Sequence, residues 1–185
     1  IPVNMVSHAH GQGYSDLHFV IPETINKIDF GKGGYYAQEG DFNTAGYVNF
    51  KTKDYLKESS ISASAGQFNT LRTVGLFDLV ENTKNQNAYV ALEYRATDGP
   101  FESPQNFNRL NLFGKYAIYS PENDKLTLTA SHFTSRWDAS GQIPKREVDN
   151  GNITRFTAIL WSRFRKCLET ISKTRCQFST LVSIF

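Results

Sequence analysis

The sequence predicts a β-dominated chain in which a small α+β unit precedes a run of antiparallel strands. Three observations lead there. Residues 25–52 alternate apolar and polar, break at glycines, and alternate again. Residues 59–136 then fall into five alternating segments separated by turn residues, a period-two pattern that suits strands and not helices. No apolar run approaches the ~20 residues that a transmembrane helix needs.

In chain order, Ile1–Asn4 reads as a strand remnant and the Gly-, Ser- and His-rich stretch after it as a loop up to Gly13. Ser15 or Asp16 is placed to cap a short helix over Leu17–Ile21. Ile25–Phe30 is a short strand, and Gly31, Gly33 and Gly34 interrupt it. One of the last two should take a positive φ, which glycine alone adopts without steric cost. Tyr35–Glu39 has the length of one helical turn, ended by Gly40. Ala45–Thr52 is a second strand, with Tyr47, Asn49 and Lys51 on one face and Val48 and Phe50 on the other.

The longer segments follow. Ser59–Gly66 sets Ile61, Ala63 and Ala65 against serines, while Leu71–Val80 has apolar residues on both parities. In Asn87–Thr97, Ala88, Val90, Leu92, Tyr94 and Ala96 share one face and Glu93 and Arg95 the other. Arg109–Tyr119 sets Leu110, Leu112, Tyr116 and Ile118 against Asn111 and Lys115, and Lys125–Arg136 sets Leu126, Leu128 and Ala130 against Thr127, Thr129 and Ser131. Residues 67–70, 81–86, 98–108, 120–124 and 137–152 are the links. Alternation of this kind fits a soluble sheet with its apolar face on a core, and equally a barrel with an apolar outside and a polar lumen.

Composition narrows the class of function. The chain carries 20 basic and 18 acidic residues, with 14% aromatics. The segment 159–185 alone is net +4 and the rest net −2. It also holds both cysteines, Cys167 and Cys176, whose spacing matches no zinc motif. A cysteine-free stretch from 1 to 166 suits an oxidising compartment. After Thr157 the sequence loses its alternation, and reads either as an amphipathic helix with Leu160, Phe164, Leu168 and Ile171 on one face or as an atypical, non-native end. No nucleotide-binding loop, nucleophile elbow or metalloprotease motif occurs, and acidic residues scattered over loops and turns read as solvated, so no enzyme is expected. The basic tail has few aromatics, which argues against nucleic acid. His8 and His10 would share one face of an extended segment, a spacing open to Zn, Cu or Ni, yet only Asp16 lies near enough in sequence to help. No metal site and no cofactor are therefore assigned.

Ile25, Ile28, Asp29, Phe30, Lys32, Gly33, Gly40, Gly46, Val48, Asn49, Phe50 and Thr52 follow an order that resembles the end of the plug domain of TonB-dependent outer-membrane receptors. Gly34 stands where proline is more usual, and Ala45 where a second glycine is common. The resemblance implies an α+β plug fragment over residues 1–55, followed over 56–157 by the antiparallel strands of an incomplete transmembrane β-barrel, with 158–185 as the atypical tail. The opening IPVNM then reads as the tail of a plug strand, and an earlier part of the plug is expected to be missing. It further implies an outer-membrane location in a Gram-negative bacterium. The expected partners are an extracellular nutrient (siderophore, cobalamin, other metal chelate or glycan), TonB, and membrane lipid. By position, Val6, Ser7, His8, Ala9, His10, Gly11 and Gln12 would form the apex loop that meets the ligand, and Lys32, Gly33, Gly34, Gly40, Gly46 and Asn49 the structural plug motif. Links 67–70, 98–108 and 137–152 would be extracellular, and 81–86 and 120–124 periplasmic. The competing reading is a soluble β-rich binding module for carbohydrate or another ligand, with Tyr89, Tyr94, Tyr116 and Trp137 as an aromatic platform.

Overall fold

A computed structural model describes residues 17–39, 45–83, 85–122, 124–138, 143–157 and the strand at 173–184. Most of this is antiparallel sheet, with very little helix. Strand β1 (Ile25–Lys32) pairs with β2 (Gly46–Thr52) in a two-stranded ribbon. Strands β3 (Ser60–Gly66), β4 (Thr70–Thr83), β5 (Gln86–Thr97), β6 (Phe107–Tyr119), β7 (Lys125–Asp138) and β8 (Lys173–Ile184) form a six-stranded meander in sequence order.

The ribbon forms as its alternation predicts. Its register sets Ile28 opposite Phe50 and Phe30 opposite Val48, so the apolar residues share one face, and Asp29 lies opposite Asn49 on the other. There Asp29 bridges Lys27 and Lys51 at 2.6 and 2.9 Å. The expected helical turn is a single 3-10 turn at Ala37–Glu39. Gly33 takes the positive φ, +88°, and its N–H donates to the Ala45 carbonyl at 2.8 Å, drawing the two strand ends together. Gly46 sits at φ +146°, where a Cβ would run into the Gly31 carbonyl oxygen of the paired strand.

Three expectations are corrected. Leu17–Ile21 is not a helix: Val20 N–H bonds back to Leu17 and a 3-10 turn follows at Pro22–Thr24. Pro22 disfavours the helical region for the residue before it, and Ile21 is extended at φ −92°, ψ 106°. The sheet has six strands, not five, because Lys173–Ile184 pairs with β7 from Asp138↔Lys173 to Leu128↔Ile184. The last link therefore runs from 139 to 172 and not from 137 to 152, and it contains a short helix, α1 (Lys145–Asp149). The amphipathic-helix reading of Leu160–Ile171 lies outside the described residues.

Short links at 84–85 and 120–124 fall at one end of the sheet, and links 67–69, 98–106 and 139–172 at the other. The 67–69 turn is tight because Phe68 and Asn69 both have positive φ, 59° and 52°. The next link pins it: Asn69 donates to Asp98 at 2.6 Å, and Asp98 N–H donates to the Phe68 carbonyl at 2.9 Å.

Replacing Gly33 with valine is expected to lower unfolding stability by more than the ~1 kcal/mol of a glycine propensity change, because a β-branched residue at positive φ is strained. Gly34→Ala, at a glycine without positive φ, should cost less. Equal costs in denaturant titrations of the two variants would contradict this account.

Candidate functional site

Register decides which residues share a face. Arg72, Val74 and Leu76 on β4 stand beside Arg95, Glu93 and Ala91 on β5, and these beside Arg109, Asn111 and Phe113 on β6. Tyr89 and Lys115 continue the same face. Ile61, Leu71, Leu92, Tyr94, Ile118 and Leu126, drawn from five neighbouring strands, occupy the opposite face, and all are exposed. The face that carries the charges is thus the covered one.

Its cover comes from the segments 17–24 and 52–57, on either side of the ribbon. Ile21 and Leu56 pack against Val74, Leu76, Tyr89 and Ala91 in the main buried cluster, with Phe113 beside it. Each such aliphatic side chain contributes about 1.5–3 kcal/mol when fully buried. Around this cluster the contacts are polar. Glu93 is fully buried and accepts from Arg72 Nε at 2.6 Å, an Arg109 terminal nitrogen at 2.9 Å and Asn111 Nδ2 at 2.8 Å. Arg72 then reaches out to Glu23 with a two-pronged contact, 2.6 and 2.7 Å, and Asn111 also donates to the His18 carbonyl at 2.9 Å.

A second clamp lies toward the end with the short links. Lys115, nearly buried, donates to the Thr52 and Lys53 carbonyls, Thr52 Oγ1 and Asp54 Oδ1, the last at 2.8 Å. Lys125 shares that Asp54 oxygen at 2.8 Å, and the Tyr89 hydroxyl donates to the Lys53 carbonyl at 3.0 Å. At both clamps a carboxylate of the N-terminal unit meets cations of the sheet.

The two carboxyls respond to this setting. The Arg72 guanidinium holds Glu23 below its ordinary value of 4.5. Burial pushes Asp54 up, but its bonds to Lys115 and Lys125 outweigh that and leave it below its ordinary 3.8. A lowered carboxyl stabilises docking above its ordinary value and loses that contribution as pH falls through the lowered one.

Of the residues singled out by sequence, Lys32 ends β1 opposite Gly46, and Asn49 lies in β2 opposite Asp29. These, with Gly33 and Gly34, build the ribbon and its turn. Val6, Ser7, His8, Ala9, His10, Gly11, Gln12 and Gly40 lie outside the described residues. The aromatic platform is corrected. Tyr89 and Trp137 project from the covered face while Tyr94 and Tyr116 project from the opposite one, since their positions differ in parity. The reading of acidic residues as solvated also fails at Glu93. Sequence had placed Glu93, Arg95, Asn111 and Lys115 on polar strand faces, but Glu23, Asp54, Arg72 and Arg109 were missed. Their link joins residues 49 and 61 positions apart, which no local pattern carries.

Among the described residues, no helix is long and apolar enough to cross a membrane, which says nothing of a barrel. Lowering pH from about 4.5 should progressively release the clamped segments, read as faster amide exchange or proteolysis at 17–24 and 52–57 relative to β4–β6. Glu23→Gln should flatten the upper part of that profile. A profile unchanged by the substitution would remove Glu23 from the docking. Comparison with protein-family models, curated proteins and solved structures finds no match to this chain.

Proposed function

We propose that this chain is part of a TonB-dependent outer-membrane receptor, with residues 1–55 the later part of the plug and the strands from residue 56 on the first part of the barrel wall. One observation carries the reading: the sheet covers its charged face with the N-terminal unit and leaves its apolar face open. A water-soluble sheet with a core on one face leaves the other face polar, whereas here Ile61, Leu71, Leu92, Tyr94, Ile118 and Leu126 stay exposed on it. A barrel in lipid turns the apolar face outward and keeps charged groups inside, against whatever fills the lumen. The plug-like order of residues 25–52 in the covering unit agrees with this.

In that arrangement the activity is binding and gated passage, without bond chemistry. A scarce nutrient meets the plug from outside, through the apex loop at residues 6–12, and energy delivered by TonB rearranges the plug. The clamps at Glu23 and Asp54 must loosen for any movement of the unit along the wall. Both are ion pairs and hydrogen bonds at a partly wet interface, which can exchange for water contacts more readily than a packed apolar core can. The sheet presents two open edges, β3 and β8. Open backbone groups are intolerable in lipid, so further strands close the wall in the intact receptor.

Leu92→Arg separates the membrane from the aqueous reading. On a lipid-facing strand near the bilayer midplane, arginine costs about 2–4 kcal/mol. At an exposed position in water such a change stays within about 0.5 kcal/mol. Denaturant titration in lipid vesicles should give the larger cost, and the wild-type chain should require detergent or lipid to stay monodisperse. A monodisperse, folded chain in plain buffer, indifferent to Leu92→Arg, would overturn the proposal.

A further inference from the structure

Three arginines stand side by side on the covered face: Arg72 on β4 pairs with Arg95 on β5, which pairs with Arg109 on β6, and Ser135 on β7 completes the row. Two carboxylates serve them, and both are used up. Glu23 is occupied by Arg72; Glu93 gives one oxygen to Arg72 and Arg109 and the other to Asn111. The aspartates at the nearby strand ends, Asp98 and Asp138, are engaged by Asn69 and Asn106. Arg95 is left without a carboxylate among the described residues.

The unmatched charge coincides with unmatched donors. Arg95 Nε, Arg109 Nε and Ser135 Oγ are buried without a hydrogen-bond partner, in three consecutive positions of the row. Arg109 and Ser135 are themselves more than nine-tenths buried. Buried donors without partners are costly to keep, so their coincidence with one excess positive charge calls for a single acceptor-rich ligand. Asn111 Oδ1 is also unpartnered but, as an acceptor, adds nothing to such a ligand. Arg95 is only partly buried and sits two residues before the end of β5, toward the 98–106 link, so the row is reached by solvent at Arg95.

We infer that Arg95, Arg109 and Ser135 form a binding site for a small oxyanion, seated on the wall beside the docked N-terminal unit. Guanidinium groups match oxyanions by paired, charge-assisted hydrogen bonds. The oxyanion can come from free inorganic phosphate or sulfate, or from the carboxylate of a larger molecule. The site needs only the wall geometry, and stands whether or not the chain is a receptor part.

Calorimetric titration of the full chain in detergent at low salt tests it, with inorganic phosphate, sulfate and citrate as separate probes. At least one should bind saturably, and which one identifies the source. Arg95→Gln should weaken that binding about tenfold or more, as loss of a charge-assisted bond does. Ser135→Ala should weaken it less, and Arg136→Gln, exposed on the opposite face, should leave it unchanged. Arg95→Lys, which keeps the charge, guards against misfolding of the glutamine variant and should bind with intermediate strength. No saturable binding by any probe, or binding of equal strength in Arg95→Gln and wild type, would overturn the inference.

Discussion

The buried carboxylate of Glu93 is the interaction on which the rest depends. A lone carboxylate taken from water costs several kcal/mol, and only close opposite charge with hydrogen bonds to its remaining lone pairs offsets that. Arg72, Arg109 and Asn111 supply both, from the strands on either side. Because Arg72 continues to Glu23, the same network that makes a charged sheet face tolerable also fastens the N-terminal unit to it. Removing the cover would leave Arg72 facing the unit's former place with only Glu93. The cover and the charged face are thus a single structural element.

Around that element the division of labour is simple. Ile21 and Leu56 supply apolar burial, which is strong but undirected, while the clamps at Glu23 and Asp54 set where along the sheet the unit sits. A patch fixed mainly by ion pairs can be shifted by pH, salt or pulling force without dismantling the sheet. The strands themselves are held by continuous backbone ladders from β3 to β8.

Much of the fold was legible in the sequence, for definite reasons. Alternation in residues 59–136 located β3 to β7, and in residues 87–97 it separated Val90, Leu92 and Tyr94 from Glu93 and Arg95 correctly. The glycine turn was legible because a reversal needs positive φ, and Gly33 supplies it. Alternation could not say which face would be covered, since that depends on a partner distant in sequence. Nothing in the local pattern marks Glu23, after Pro22, or Asp54, just past the second strand. Strand β8 was missed because residues 158–185 were judged as one stretch. Its ladder to β7 shifts register between Ser131 and Phe133, which breaks the period-two pattern that a strand would otherwise show in sequence. The apex-loop residues and Gly40 remain outside the described structure, and the sequence alone speaks for them.

The central claim is that the sheet turns its charged face to the N-terminal unit and its apolar face to lipid. Nitroxide labels placed one at a time at residues 88–96, with the chain in bilayers, test it most directly. Collisions with dissolved oxygen, which concentrates in lipid, should alternate along β5, high at 90, 92 and 94 and low at 89, 91, 93 and 95. Accessibility to a water-soluble nickel complex should stay low at 90, 92 and 94. Alternation in the opposite phase, or high nickel accessibility at 90, 92 and 94, would contradict the account.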